Sequence, residues 1–403
     1  MVAVATVLAA CGGGGGGSGG AGGGSSGGGS GPQAAANQAV VTVGQGVEGV
    51  ANIPTVSVTV CAPGTSACQT IPNIQVDTES FGLRLASSAA SQVLSALPKQ
   101  TLAGSPLAEC TAFADGYTWG SIRTADLTIG QKTASGVPIQ IVGDMPQGAV
   151  LTGGCSTGTL ELTPGDLGAN GILGVGVAPN DCGTLCASPP AGNSNYYACP
   201  NGANCVQTLV PTAQQVANPV AKFATDNNGV ILTMPAIGPS GQATVTGMLT
   251  FGIGTQANNG LPGTVTKFTT NAFGDINATF NGSAVTAFFD SGSNAYFFTD
   301  NSLANCSGNA SAFYCPASTV SRSVNVASYN GASPGAAGGL AVSMTVGNAT
   351  QLLSNGNFAL NDLAGSLGGA TFVDFGMPFF YGKTVYYGMD QTGSSGPGPY
   401  VAF

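Results

Sequence analysis

The 403-residue chain contains no histidine. That removes Ser-His-Asp and Cys-His catalysis, histidine-ligated zinc and imidazole proton transfer. Basic residues are scarce too: 8 Lys and Arg stand against 17 Asp and Glu, for a net charge of −9. Phosphate binding needs clustered cations, so no nucleic-acid partner is expected. Beyond the N-terminal apolar run no segment is apolar enough to span a bilayer. Nor does any long stretch keep a 3.6-residue period; Ala86–Leu97 is the best helix candidate, and it is short. Any acid–base chemistry must therefore fall to Asp, Glu, Tyr, Lys or Cys, of which the carboxylates are the most plentiful.

What is present points to strands. Hydrophobic residues make up 43% of the chain, glycine is spread through its body, and Val, Thr, Ile and Phe recur at short spacing. This is the composition of an all-β protein, and the length suffices for a large core in one bilobal unit or two domains. Two distant segments are near-copies. Ile71–Val76 runs into Asp77-Thr78-Glu79-Ser80, and Ala284–Phe289 runs into Asp290-Ser291-Gly292-Ser293. Each reads as an apolar strand ending in Asp, then a hydroxyl residue, then a tight turn with Ser. Each is followed later by an apolar–apolar–Gly element, Ala169–Gly176 in one half and Phe372–Phe380 in the other. This weak internal duplication fits two similar lobes, residues 37–237 and 238–403, each supplying one aspartate.

The N-terminus reads as a processing signal. Residues 1–10 are a small apolar segment ending Leu8-Ala9-Ala10, Cys11 follows, and residues 11–36 form a Gly/Ser-rich flexible tether. Leu-Ala-Ala-Cys resembles the lipobox of bacterial lipoproteins, whose cysteine is lipidated. The leader is short and has no positive n-region, as a start set downstream of the true one would leave it. Gly12 after the cysteine implies, by the same resemblance, the outer membrane, with the protein facing the periplasm or the surface of a bacterial cell envelope. Cysteine usage agrees with export: of 11 cysteines, removing Cys11 leaves an even number. Cys61 with Cys68 and Cys306 with Cys315 are local pairs, Cys110 with Cys155 is a further one, and Cys182, Cys186, Cys199 and Cys205 pair among themselves in one loop-rich insert. A four-cysteine metal site there is the rival reading, which the absence of paired C-x-x-C spacing disfavours.

The ordered pieces resemble a pepsin-type aspartic peptidase. Asp77-Thr-Glu-Ser is similar to the first D-T-G-S of that family, Asn170-Gly-Ile-Leu-Gly-Val-Gly176 to its D-G-I-L-G-L element, and Leu249–Gly254 to the hairpin opening its second lobe. Gly274–Gly282 leads into Asp290-Ser-Gly-Ser as in the family's second motif, and Phe375–Asp390 is similar to its closing segment. The lipobox, Cys61–Gln69 and Gly82-Leu83-Arg84 resemble more closely a bacterial lipoprotein family of unknown function, the DUF3443 type. The resemblance implies a bilobal pepsin-like double β-barrel with an interlobe cleft, no cofactor and no metal, a polypeptide substrate or peptide ligand, and a monomer that meets the membrane only through its lipid.

The resemblance also implies roles. Asp77 and Asp290 would form the dyad: two carboxyls about 3 Å apart share one proton, so the ionised one activates water and the other protonates the oxyanion. Thr78 and Ser291 would bridge the two loops, Ser80 and Ser293 would hydrogen-bond the carboxylates, Gly292 completes the second turn, and Gly174 and Gly376 would let a strand pass close behind each loop. Tyr117, beside the Asp115-Gly116 turn of a hairpin, is either a flap residue or a plain hairpin aromatic. Two departures stand out. Glu79 occupies the place of a glycine, and Asp374 precedes Phe375-Gly376 where the family is apolar. Either the turn differs and Glu79 faces solvent, or the site is degenerate. Three readings remain: a tethered aspartic endopeptidase, a pseudo-peptidase that binds peptides or envelope partners, and a structural lipoprotein that only inherits the fold.

Overall fold

The computed structural model describes residues 34–114, 116–146, 155, 158–331, 335, 339–367, 369 and 371–403. The expected signal segment, most of the tether, Cys11 and Asp115 lie outside the described residues. The architecture is all-β and two-lobed, as the sequence implied. In the first lobe, strands Pro54–Cys61 and Cys68–Asp77 form a hairpin closed by the Cys61–Cys68 disulfide. Its register shifts between Val56 and Val58, opposite Pro72-Asn73, with Asn73 at φ 54°. Pro72 cannot donate to the ladder, so the strand bulges there. Beyond the bulge Ile74–Asp77 is fully buried, which aims the terminal aspartate inward.

Each lobe then repeats one device. Strand Gly171–Val175 inserts between Cys68–Asp77, to which it is parallel, and Phe81–Ala86, to which it is antiparallel; Gly174 lies opposite Asp77 on one side and Gly82 on the other. In the second lobe, Phe372–Phe375 inserts in the same sense between Ser283–Phe289 and Tyr296–Phe297. The inserted strand pins the chain on both sides of each Asp turn, so the loop carrying the carboxylate is held at both ends. An antiparallel sheet joins the lobes in the strand order Gln38–Val43, Val245–Phe251, Gly229–Thr233, Thr384–Gly388, Tyr400–Ala402, Lys267–Thr269. Residue 237 falls between two neighbouring strands of this sheet. Beneath the second Asp turn, Phe289 stacks on Phe375 at 4.8 Å and packs on Phe379 and Phe403, a dry floor shared with the joining sheet.

One local expectation changes, and the cysteine pairing is now specified. Ala86–Leu97 is not an α-helix: strand Phe81–Ala86 runs through Ala86, turns follow, and only Leu94–Ala96 closes as a 3-10 turn. Isolated backbone turn bonds persist, such as Ala90 N–H to Ala86 O and Leu94 N–H to Ala90 O, while the Gln69 carboxamide takes the backbone N–H groups of Gln92 and Val93 and donates to Ala89 O, interrupting a continuous helical ladder. The insert cysteines pair as Cys182–Cys186 and Cys199–Cys205, which leaves no thiolates for metal, while Cys110–Cys155 and Cys306–Cys315 pair as expected.

Candidate active site

The two Asp turns meet face to face at the junction of the lobes. Thr78 Oγ1 donates to Phe289 O and accepts from Ser291 N–H, both at 2.9 Å, while Ser291 Oγ donates to Val76 O at 2.7 Å. Each hydroxyl thus bonds the backbone that leads into the opposite aspartate. Two residues not singled out from sequence extend this bracing. Gln75 Nε2 donates to Gly292 O and Tyr387 OH to Phe289 O, each at 2.7 Å. Gln75 had a readable signal, a polar side chain inside an apolar run; Tyr387 comes from the joining sheet and had none.

The carboxylates are gripped differently. Asp77 Oδ1 accepts the backbone N–H groups of Glu79 and Ser80 at 2.8 and 3.0 Å. Asp290 accepts Gly292 N–H at 2.7 Å on Oδ1 and the Ser293 hydroxyl at 2.8 Å on Oδ2. Ser80 therefore contributes only its backbone; its hydroxyl is buried without a partner, contrary to the role expected of it. Asp77 is 3% exposed and Asp290 0%. The point where a Gly292 Cβ would stand is 3.0 Å from Oδ1 of each aspartate, so the two oxygens lie within twice that distance of each other. Gly174 and Gly376 have no room for a side chain: an added Cβ would meet Phe81 N at 2.5 Å and Ala295 O at 2.1 Å respectively.

Glu79 does not face solvent. It is 4% exposed and reaches across to the second lobe, where a Gly274 Cβ would lie 2.7 Å from its Oε2. Gly274, at φ 107°, leaves open the space this carboxyl fills. Burial pushes the Glu79 carboxyl well above the usual range, and Asp275, Asp290, Asp77 and Asp374 push it in the same direction. Asp374 is also fully buried. Strand alternation puts Thr286, Phe288 and Asp290 on one face, and the parallel register places Phe372 and Asp374 beside the first two. Neither Asp374 oxygen completes a hydrogen bond, the Ser293 hydroxyl beside it having its proton on Asp290. Burial raises Asp374 strongly, against the pull of the nearby Ser293 hydroxyl and with Asp77 adding to it. Asp290 is raised by burial, by Asp77 and by Asp374, against the pull of Ser293 and Gly292. Burial and the repulsion of neighbouring acids thus favour the protonated forms of Glu79, Asp290 and Asp374.

Tyr117 belongs elsewhere. Its half-buried ring packs with Trp119, Tyr197, Met145 and the Cys110–Cys155 pair, so it is a hairpin aromatic, and no contact among the described residues brings it to the carboxyls. Behind the first Asp turn, buried Arg84 donates to Phe81 O at 2.9 Å, to Glu109 at 2.9 Å and to Asp181 at 3.2 Å, and Tyr196 OH donates to Asp181 at 2.7 Å. Arg84 thereby ties the strand leaving the turn to the disulfide-rich insert. Asp181 reaches the surface of an interlobe cleft of about 610 Å³, lined also by Phe81, Ala178, Phe273, Met389 and Asp390.

The family model described as protein of unknown function (DUF3443) matches residues 33–403. No curated protein matches the sequence. Among solved structures, the aspartic proteinase from Irpex lacteus is 15% identical, with 91% of this chain and 96% of that one covered and a TM-score of 0.47.

Proposed function

The chain belongs to the DUF3443 family, and we propose that it is an exported, lipid-anchored aspartic endopeptidase acting on extended polypeptide. The observation that carries this reading is the reciprocal Thr78–Ser291 bridging, which holds Asp77 and Asp290 at one point between the lobes. In that arrangement one carboxylate takes a proton from water as it attacks the peptide carbonyl, and the neutral carboxyl protonates the developing oxyanion. Substrate lies in the interlobe cleft as an unfolded strand. Cys11 carries the lipid and residues 11–36 the tether that holds a monomeric enzyme at the outer membrane of a bacterial envelope.

A second reading is favoured by one observation, the Glu79 carboxyl buried against the dyad turn. In it Glu79 blocks catalysis, and the cleft binds peptides or envelope partners without cutting them. Digestion of a reduced, denatured protein from about pH 3 to pH 7 separates the two. Cleavage by wild type that disappears in Asp290→Asn establishes the peptidase. No cleavage by wild type together with a gain in Glu79→Gly establishes the blocked form.

A further inference from the structure

A cavity of about 210 Å³ opens beside the dyad, apart from the main cleft. Glu79 and Asp275 line it together with Phe273, Phe288, Phe372 and Thr286. Glu79 is more than nine-tenths buried, and what remains of its surface lines this cavity. Such a group in an apolar wall is costly unless something answers it. Its strongest charged neighbours are all acids. Asp275 is held by Asn271 Nδ2 at 2.7 Å on one oxygen, which leaves the other available.

We propose that this cavity takes the cationic side chain, lysine or arginine, of a polypeptide lying in the interlobe cleft, with Glu79 and Asp275 as its counter-ions. The inference rests on the cleft binding polypeptide, whether or not it is cut. The walls suit such an occupant better than a metal. Two carboxyls are few hard ligands for a divalent ion, and no group of three or more acidic, thiol or imidazole ligands positioned for a metal occurs among the described residues. The rings of Phe288 and Phe372 stand 5.4 Å apart at 37°, so a methylene stem can lie along them while their faces attract the charge. Phe273 lines both this cavity and the 610 Å³ cleft, so a chain in the cleft can send one side chain past it. Glu79 is then a specificity-determining residue, and the loss of the turn glycine has a use.

Binding would favour the ionised form of the Glu79 carboxyl, which burial biases towards its protonated form, so protons are released on binding and affinity rises with pH. The groups that face the cation are Glu79 and Asp275, with Asp290, Asp77 and Asp374 behind them. The test is fluorescence anisotropy with the full chain and capped decapeptides identical but for one Lys, Arg or norleucine moved along the sequence. Lys or Arg at a single register should bind at least about tenfold more tightly than norleucine. That ratio should fall to about one in both Glu79→Gln and Asp275→Asn, while norleucine peptides bind all three proteins alike. A basic preference missing from wild type, or surviving in both variants, overturns the inference. If no peptide binds at all, the peptide reading has failed separately. In that event n-butylamine titrated against wild type and Asp275→Asn decides: binding to the former alone retains the cation site, and binding to neither removes it.

Discussion

The Cβ that Gly292 lacks would stand 2.7 Å from Cγ of Asp77, a residue of the other lobe. The turn of one lobe is therefore the wall against which the carboxylate of the other rests. No left-handed backbone is involved at Gly292; the requirement is one of space. Gly292→Ala should push Asp77 off its Glu79 and Ser80 N–H donors, abolish cleavage, and destabilise the protein by about 1–3 kcal/mol. Denaturant unfolding with disulfides intact and a digestion assay measure the two effects.

Thr78 makes two interlobe bonds with one hydroxyl. In Thr78→Val, Phe289 O keeps the Tyr387 hydroxyl, but Ser291 N–H is left buried without an acceptor. The expected cost is about 1–3 kcal/mol. Thr78→Ser should restore both stability and cleavage, which a role limited to filling volume would not require.

Glu79 and Asp374 are carboxyls whose folded-state affinity for a proton exceeds the unfolded one. Below the ordinary carboxylate range both states are protonated and the full stability is present. As pH rises the unfolded chain ionises first, so stability falls until the folded groups ionise too. Wild type should therefore lose stability on going from about pH 4 towards neutrality. Asp374→Asn and Glu79→Gln should each flatten that slope and raise the denaturant midpoint at pH 7. An unchanged slope in both would show that these groups are not the ones taking up protons.

Arg84 is buried between Glu109 and Asp181. Arg84→Met leaves two acids without their cation and should cost about 3–5 kcal/mol near neutral pH. Burial and Glu109 already raise Asp181 strongly, so acidification protonates it and the gap to wild type should narrow. Unfolding midpoints of the two proteins at pH 4 and pH 7 check this. A gap independent of pH would assign the loss to packing of the arginine stem instead.

Tyr117 packs into the cluster around Trp119. Tyr117→Phe keeps that ring and should leave cleavage within about twofold of wild type, since only a group acting on the reacting atoms shifts the rate by orders of magnitude. A large loss of kcat with stability unchanged would return it to the flap.

Local chemistry was legible in the sequence. Strand alternation, the two Asp turns and the pairing of near-neighbour cysteines all depend on a few consecutive residues, whereas the glycines behind the turns were implied only by the family resemblance. The missing histidines left carboxylates to do any acid–base work, and the duplicated contexts of Asp77 and Asp290 implied that the two would meet. Ala86–Leu97 misled because a helix of that length needs tertiary support, and here Gln69 from another strand supplies competing bonds. The fate of Glu79 could not be read at all. Its direction depends on Gly274, far along the chain, leaving a gap of the right size, and its protonation depends on four acids from both lobes. The same holds for Ser80 and Ser293, equivalent in sequence and different in bonding, because only the second hydroxyl finds a carboxylate oxygen within reach. Residue order specifies which groups sit at a turn. Long-range packing decides which of them touch, which are dry, and so which carry charge.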